Sequence, residues 1–185
     1  MAIVVVGGSH RGAGKTALVC GLIAALPEFR WMAVKITTHG HGRHEKIWEE
    51  TKPGQGTDTA RYLAAGAERA LLMTASSRDL PELLSELWRM VGPRAKVLFE
   101  SNRVLEQLRP DLCLVVHSSL DCAEPKPSFS QALRHADAVV ALAGADRVLE
   151  QDEESKPIFH LAALERVSPE MLAWLRLRLP PVQSS

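Results

Sequence analysis

The sequence predicts an α/β domain in three layers, a mostly parallel sheet with helices on both faces. Three observations carry this expectation. Short apolar runs rich in β-branched residues recur along the chain without the polar alternation of a half-solvated strand, so their strands are buried on both faces. Segments of helical periodicity separate most of these runs, so successive strands are joined by helices and run parallel. The first strand opens into a glycine-rich turn that leads straight into a helix.

The elements follow in order. Residues 3–6 form the first strand, bounded by Gly7 and Gly8. From 15 to 26 the composition turns to alanine and leucine, with Leu18, Leu22 and Leu26 four apart and Pro27 ending the helix. Further strands are expected at 32–36, 70–73, 97–99, 112–116, 138–142 and 158–161. A helix over 80–91 carries Leu83, Leu84, Leu87 and Val91 on one face, and shorter helices cover 104–108 and 129–136. Ser168 caps and Pro169 starts a closing helix with Leu172, Leu175 and Leu179 inward. Residues 37–57, rich in glycine, histidine and charge, are long for a connector and read as a working loop. Residues 1–185 make one domain, the size at which a single core suffices.

The chemistry lies in Gly8-Ser9-His10-Arg11-Gly12-Ala13-Gly14-Lys15-Thr16, between a strand and a helix, the context a phosphate-binding loop requires. Gly12, Ala13 and Gly14 let successive backbone N–H groups turn inward as an anion nest, and the helix adds its positive end. Lys15 reaches the β- and γ-phosphates, and the Thr16 hydroxyl ligates Mg²⁺. The usual spacing places a glycine where Ser9 stands; with Gly8 in that role the loop is one residue longer. The fold expected is therefore the three-layer P-loop NTPase fold, with GTP or ATP and Mg²⁺ as cofactors.

Such a site needs an acid at the end of a neighbouring strand, and Glu100, directly after 97–99, stands there. Asp111 precedes its strand and faces the wrong edge. Asp58 is a second candidate metal ligand or the cap of a helix from Thr59. Lys15 and Glu100 are the candidate catalytic pair, and Thr16, Asp58 and Glu100 the candidate metal set. Asp146 follows strand 138–142, where the guanine-reading segment of GTPases places its aspartate; it either reads guanine or caps the helix near Arg147. His39, His41, His44 and Glu45 form either a metal cluster or, given Gly40 and Gly42 between them, a phosphate- or partner-sensing loop. His117, Ser118 and Ser119 follow a strand toward the same edge and line the pocket.

Composition narrows the class. Hydrophobic residues are 46% and charged residues 24% of the chain, values of a folded protein. Its 22 basic and 22 acidic residues cancel, which argues against general nucleic-acid binding. No apolar run is long enough to span a bilayer. Cys20, Cys113 and Cys122 are an odd count without metal or disulfide spacing, as expected in a cytoplasmic protein. Cys20, inside the first helix, reads as packing.

The combination of Gly12-Ala13-Gly14-Lys15-Thr16, Val34-Lys35-Ile36, the histidine-rich loop, Lys52-Pro53-Gly54, Asp58-Thr59-Ala60-Arg61 and Ala65-Gly66-Ala67 resembles the molybdopterin-guanine dinucleotide biosynthesis adaptors of the MobB type over residues 1–100. The resemblance implies a GTP-binding protein with weak hydrolysis that assists an enzyme of molybdenum cofactor maturation, with Lys15 and Thr16 on phosphate and Mg²⁺ and Glu100 as the strand-end acid. That enzyme and a second copy of the chain are the expected partners besides the nucleotide. The longer loop is closer to that of dethiobiotin synthetase and the cobyrinate amidases. That likeness implies an ATP-dependent ligase or kinase acting on a carboxylate. A nucleotide-gated partner-binding module without turnover is a third class.

Overall fold

The structure, a computed structural model, describes residues 1–38, 46–117, 127–142 and 156–181. Its first strand, β1 (Ala2–Gly8), shows why the valine run matters: Val4 and Val6 enter one core and Val5 the other, all nearly inaccessible to solvent. Such burial contributes about 1.5–3 kcal/mol per large aliphatic side chain. The remaining elements are α1 (Lys15–Ala25), β2 (Met32–Thr37), β3 (Ile47–Glu50), α2 (Asp58–Ala64), β4 (Arg69–Thr74), α3 (Leu80–Met90), β5 (Lys96–Glu100), β6 (Leu112–His117), α4 (Pro127–His135), β7 (Ala138–Leu142), β8 (Ile158–Leu161) and α5 (Pro169–Arg178).

Among the described residues the strands form one eight-stranded sheet in the order β3-β4-β2-β5-β1-β6-β7-β8. Every pair is parallel except β3 with β4. One core packs Leu18, Leu22 and Ile23 of α1 with Met171 and Leu175 of α5; the other packs Leu83, Leu84 and Leu87 of α3 with Phe129 and Ala132 of α4. The three-layer, mostly parallel architecture expected from the sequence is thus present. The chain moves from β1 toward β2 and later crosses back from β5 to β6, so β1 lies where the strand order reverses. In such sheets the crevice at the carboxyl ends beside that point is where ligands collect.

Several local expectations are corrected. The stretch 37–57 contains β3, an antiparallel edge strand whose four residues are all half-buried; its charge conceals it, because edge strands carry charge to prevent further pairing. The helix expected at 104–108 is a 3₁₀ turn over Arg103–Glu106. Asp58 does not cap α2: Thr57 does, its side chain accepting from the Ala60 N–H at 3.1 Å. In α5 Met171 and Leu175 are buried, as is Leu179 directly after it, and Leu172 is only partly so. No helix among the described residues is long and apolar enough to cross a membrane.

Candidate functional site

The loop between β1 and α1 emerges at the carboxyl edge of the sheet, flanked by β5 and β6. Its glycines have distinct reasons. Gly12 and Gly14 adopt φ of +90° and +94°, a region that strains any residue with a Cβ. A Cβ on Gly14 would also stand 2.1 Å from the Leu164 side chain. At Gly8 the reason is close packing: a Cβ would lie 2.8 Å from Cγ of Lys15, which crosses over it.

The start of the loop is held from both sides. Ser9 N–H donates to the Val116 carbonyl of β6 at 3.1 Å. On the β5 side the Asn102 amide brackets Gly8, accepting from its N–H at 2.8 Å and donating to its carbonyl at 3.0 Å. Asn102 therefore substitutes for a strand neighbour where β5 has ended. The Lys15 ammonium donates to the His10 carbonyl at 2.7 Å, closing the loop on itself.

Below the loop lies an ionic cluster centred on a buried carboxylate. Glu100, the last residue of β5, is 3% exposed. Its Oε2 accepts from the Thr16 hydroxyl at 2.8 Å and from the fully buried Tyr62 hydroxyl, and its Oε1 accepts from the Lys35 ammonium. Lys35, at the register position opposite Glu100, also pairs with Asp58 at 2.7 Å. Burial alone would lower the Lys35 pKa, but the charge of Glu100 and the bonds to both carboxylates raise it above the ordinary lysine value. For Asp58 burial favours the neutral acid; the bond to Lys35 and its charge, with Thr16 and Arg61 behind them, outweigh burial and hold the carboxyl below its ordinary range. Burial and the neighbouring Glu100 push the Tyr62 phenol far up, so it stays protonated and donates.

The structure thus brings together Gly12, Ala13, Gly14, Lys15, Thr16, Asp58 and Glu100. Asp146, His39, His41, His44, Glu45, Ser118 and Ser119 lie outside the described residues, as does Cys122. His117 ends β6 itself and stacks on Phe129 at 6.0 Å between ring centroids. Asp111 stands at the opposite end of the sheet, accepting from the Ile3 N–H at 2.7 Å. Burial raises the Cys20 thiol pKa and pushes Cys113 up to about 12, so both are packing residues rather than nucleophiles. Sequence reasoning passed over Asn102 and Tyr62. The available signal for Asn102 was its place two residues past a strand-end acid; Tyr62 gave none.

No family model matches the chain, and no curated protein matches it. Among solved structures it is similar to LpxK from Aquifex aeolicus, crystallised in complex with ATP, at 20% identity and a TM-score of 0.51, over 85% of this chain and 53% of that one. The chain spans about half the length of that protein. With the parallel sheet, this likeness establishes the three-layer α/β P-loop NTPase fold.

Proposed function

We propose that this chain binds a Mg²⁺-nucleoside triphosphate over residues 8–16, hydrolyses it slowly, and acts as a GTP-dependent adaptor in molybdenum cofactor guanylylation. The observation that carries the nucleotide reading is the 2.8 Å hydrogen bond between Thr16 and Glu100, which joins the end of the loop to a strand-end acid. Lys15 supplies the phosphate-directed charge, and Gly12, Ala13 and Gly14 the backbone nest.

The donors beside the loop are a hydroxyl and two carboxylates, hard oxygens of the kind magnesium takes. Among the described residues no group of three or more His, Cys, Asp or Glu gathers to hold a metal unaided. Thr16, Asp58 and Glu100 would hold Mg²⁺ jointly with phosphate oxygens and water, the pattern usual for this ion. When bound, the metal neutralises charge on the phosphates. Slow turnover fits the occupancy of Glu100: both its oxygens already accept from Thr16, Tyr62 and Lys35, so it orders donors rather than removing a proton from water.

The adaptor role rests on the resemblance of residues 1–100, and guanine choice on Asp146. A second reading, ATP-dependent phosphoryl transfer to a small acceptor, is favoured by the likeness to a protein solved with ATP. Thermal shift with GTP and ATP side by side, with and without Mg²⁺, separates the two: a ligand at 100 times its dissociation constant stabilises by about 2.7 kcal/mol. The adaptor reading expects the larger shift with GTP, reduced in Asp146→Ala. A larger shift with ATP, with turnover appearing only when a small carboxylate is added, would replace it with the second.

A further inference from the structure

Buried polar groups without partners cost stability, and native proteins keep few of them. Two stand together at the carboxyl edge of the sheet. Ser9 and His117 are each more than nine-tenths buried, and among the described residues neither the Ser9 hydroxyl nor either ring nitrogen of His117 has a hydrogen-bond partner. The fold makes them neighbours. Gly8 pairs with Val116 in the register of β1 with β6, the Ser9 N–H donates to the Val116 carbonyl, and His117 is the next residue on that strand. Stacking on Phe129 takes a face of the imidazole and leaves its nitrogen-bearing edge unused. Apolar side chains of the same shape would avoid this cost, so packing does not account for the pair.

Its position does. In a phosphate-binding loop the lysine reaches the outer phosphates, so the Lys15 ammonium marks the end of the loop where they belong. That ammonium donates at 2.7 Å to the carbonyl of His10, the residue after Ser9, and the His10 ring is close enough to His117 for a charge on one to disfavour a charge on the other. The pair therefore borders the terminal-phosphate end of the loop from the β6 side, with Glu100 on the β5 side. Hydrolysis also needs a group to take a proton from water, and both Glu100 oxygens already accept from other donors. A neutral imidazole has one N–H and one bare nitrogen, and a hydroxyl both donates and accepts, so the two unpaired groups together suit one water molecule.

We propose that Ser9 and His117 form the site of the water that attacks the terminal phosphate, with His117 as its general base. This rests on the nucleotide reading. The water oxygen bonds to the terminal phosphorus, and the bond from that phosphorus to the bridging oxygen breaks, its electron pair leaving on the nucleoside diphosphate. The water proton passes to the bare nitrogen of His117 while the Ser9 hydroxyl fixes the oxygen. Burial and His10 keep the imidazole unprotonated at neutral pH, the form this step needs.

The test pairs single-turnover phosphate release from Mg²⁺-GTP and Mg²⁺-ATP with nucleotide affinity by titration calorimetry, both on the full chain. A positioned general base contributes about a hundredfold or more to a rate. His117→Phe keeps the stacked ring and should fold at least as stably as wild type, yet release phosphate about a hundredfold more slowly with nucleotide affinity changed less than about threefold. A merely structural residue would not separate rate from stability and affinity in this way. His117→Gln carries the same expectation, because an amide offers hydrogen bonds but no base, and it stands in if the Phe variant fails to fold. Ser9→Ala, which removes one hydrogen bond to the water, should slow release about tenfold. Release at the wild-type rate in either folded His117 variant would overturn the proposal. A wild-type protein that binds nucleotide but releases no phosphate would also overturn it while leaving nucleotide binding intact, and one that binds neither nucleotide would overturn both.

Discussion

The two flanks of the loop are built on opposite principles. On the β5 side, Glu100, Lys35, Asp58, Thr16 and Tyr62 form one connected network in which each charged group faces an opposite charge or a donor. On the β6 side, Ser9 and His117 are 8% and 7% exposed, and among the described residues neither the Ser9 hydroxyl nor either ring nitrogen of His117 has a hydrogen-bond partner. Most buried polar groups in proteins are paired, so the second flank is the exception. A paired network fixes geometry. An unpaired imidazole is held neutral: burial and the nearby His10 lower the His117 pKa below its ordinary value. The flank toward the proposed metal is therefore preorganised, and the other carries a stability penalty.

The largest effect on this contrast should come from Glu100→Gln. Removing a partner from a buried ion cluster costs about 3–5 kcal/mol in the general case, and since Lys35 keeps Asp58 here, about 3 kcal/mol is expected in urea denaturation. A loss within the range of an exposed pair, below about 1 kcal/mol, would mean that the network is not a unit. Asn102→Ala comes next. It strips both backbone partners from Gly8, and an unpaired buried group costs about 1–3 kcal/mol, so denaturation should report a loss in that range. Retention of full stability would show that the bracket on Gly8 is incidental.

The smallest effect, and one of opposite sign, belongs to the other flank. His117→Phe removes a buried unsatisfied group and keeps the stacking partner of Phe129, so stability at neutral pH should be unchanged or rise by about 1 kcal/mol. The pH dependence has a fixed sign. With the folded pKa depressed below the unfolded value, the unfolded chain binds the proton first as pH falls; stability declines on going below about 6.5 and levels off once the folded pKa is passed. In the Phe variant that component of the decline should vanish. An equal decline in both proteins would place the acid sensitivity elsewhere.

How much of this was legible in the sequence follows from the range of each contact. The strand-turn-helix of residues 2–25 is local, and its glycines, lysine and threonine are read from adjacent positions. Glu100 was legible because a strand of period-free apolar residues ends on it. Tyr62 and Asn102 were not: they meet their partners across 38 and 94 residues of chain, and neither type announces such a bond. β3 escaped because its four half-buried residues carry no apolar run, and Arg69 secures it through a two-pronged bond to Glu49 at 2.7 Å that only the fold brings about. Lys35 was visible as part of a resemblance, but its place between two carboxylates depends on the parallel register of β2 with β5.

The central claim is that the loop is a triphosphate site governed by Lys15. Titration calorimetry of wild type and Lys15→Ala with Mg²⁺-GTP and Mg²⁺-ATP tests it most directly. The account predicts that wild type binds at least one of the two, and that the variant, folded as judged by circular dichroism, binds it about tenfold to a hundredfold more weakly, the equivalent of one charge-assisted phosphate contact. Equal affinity in the two proteins would contradict it.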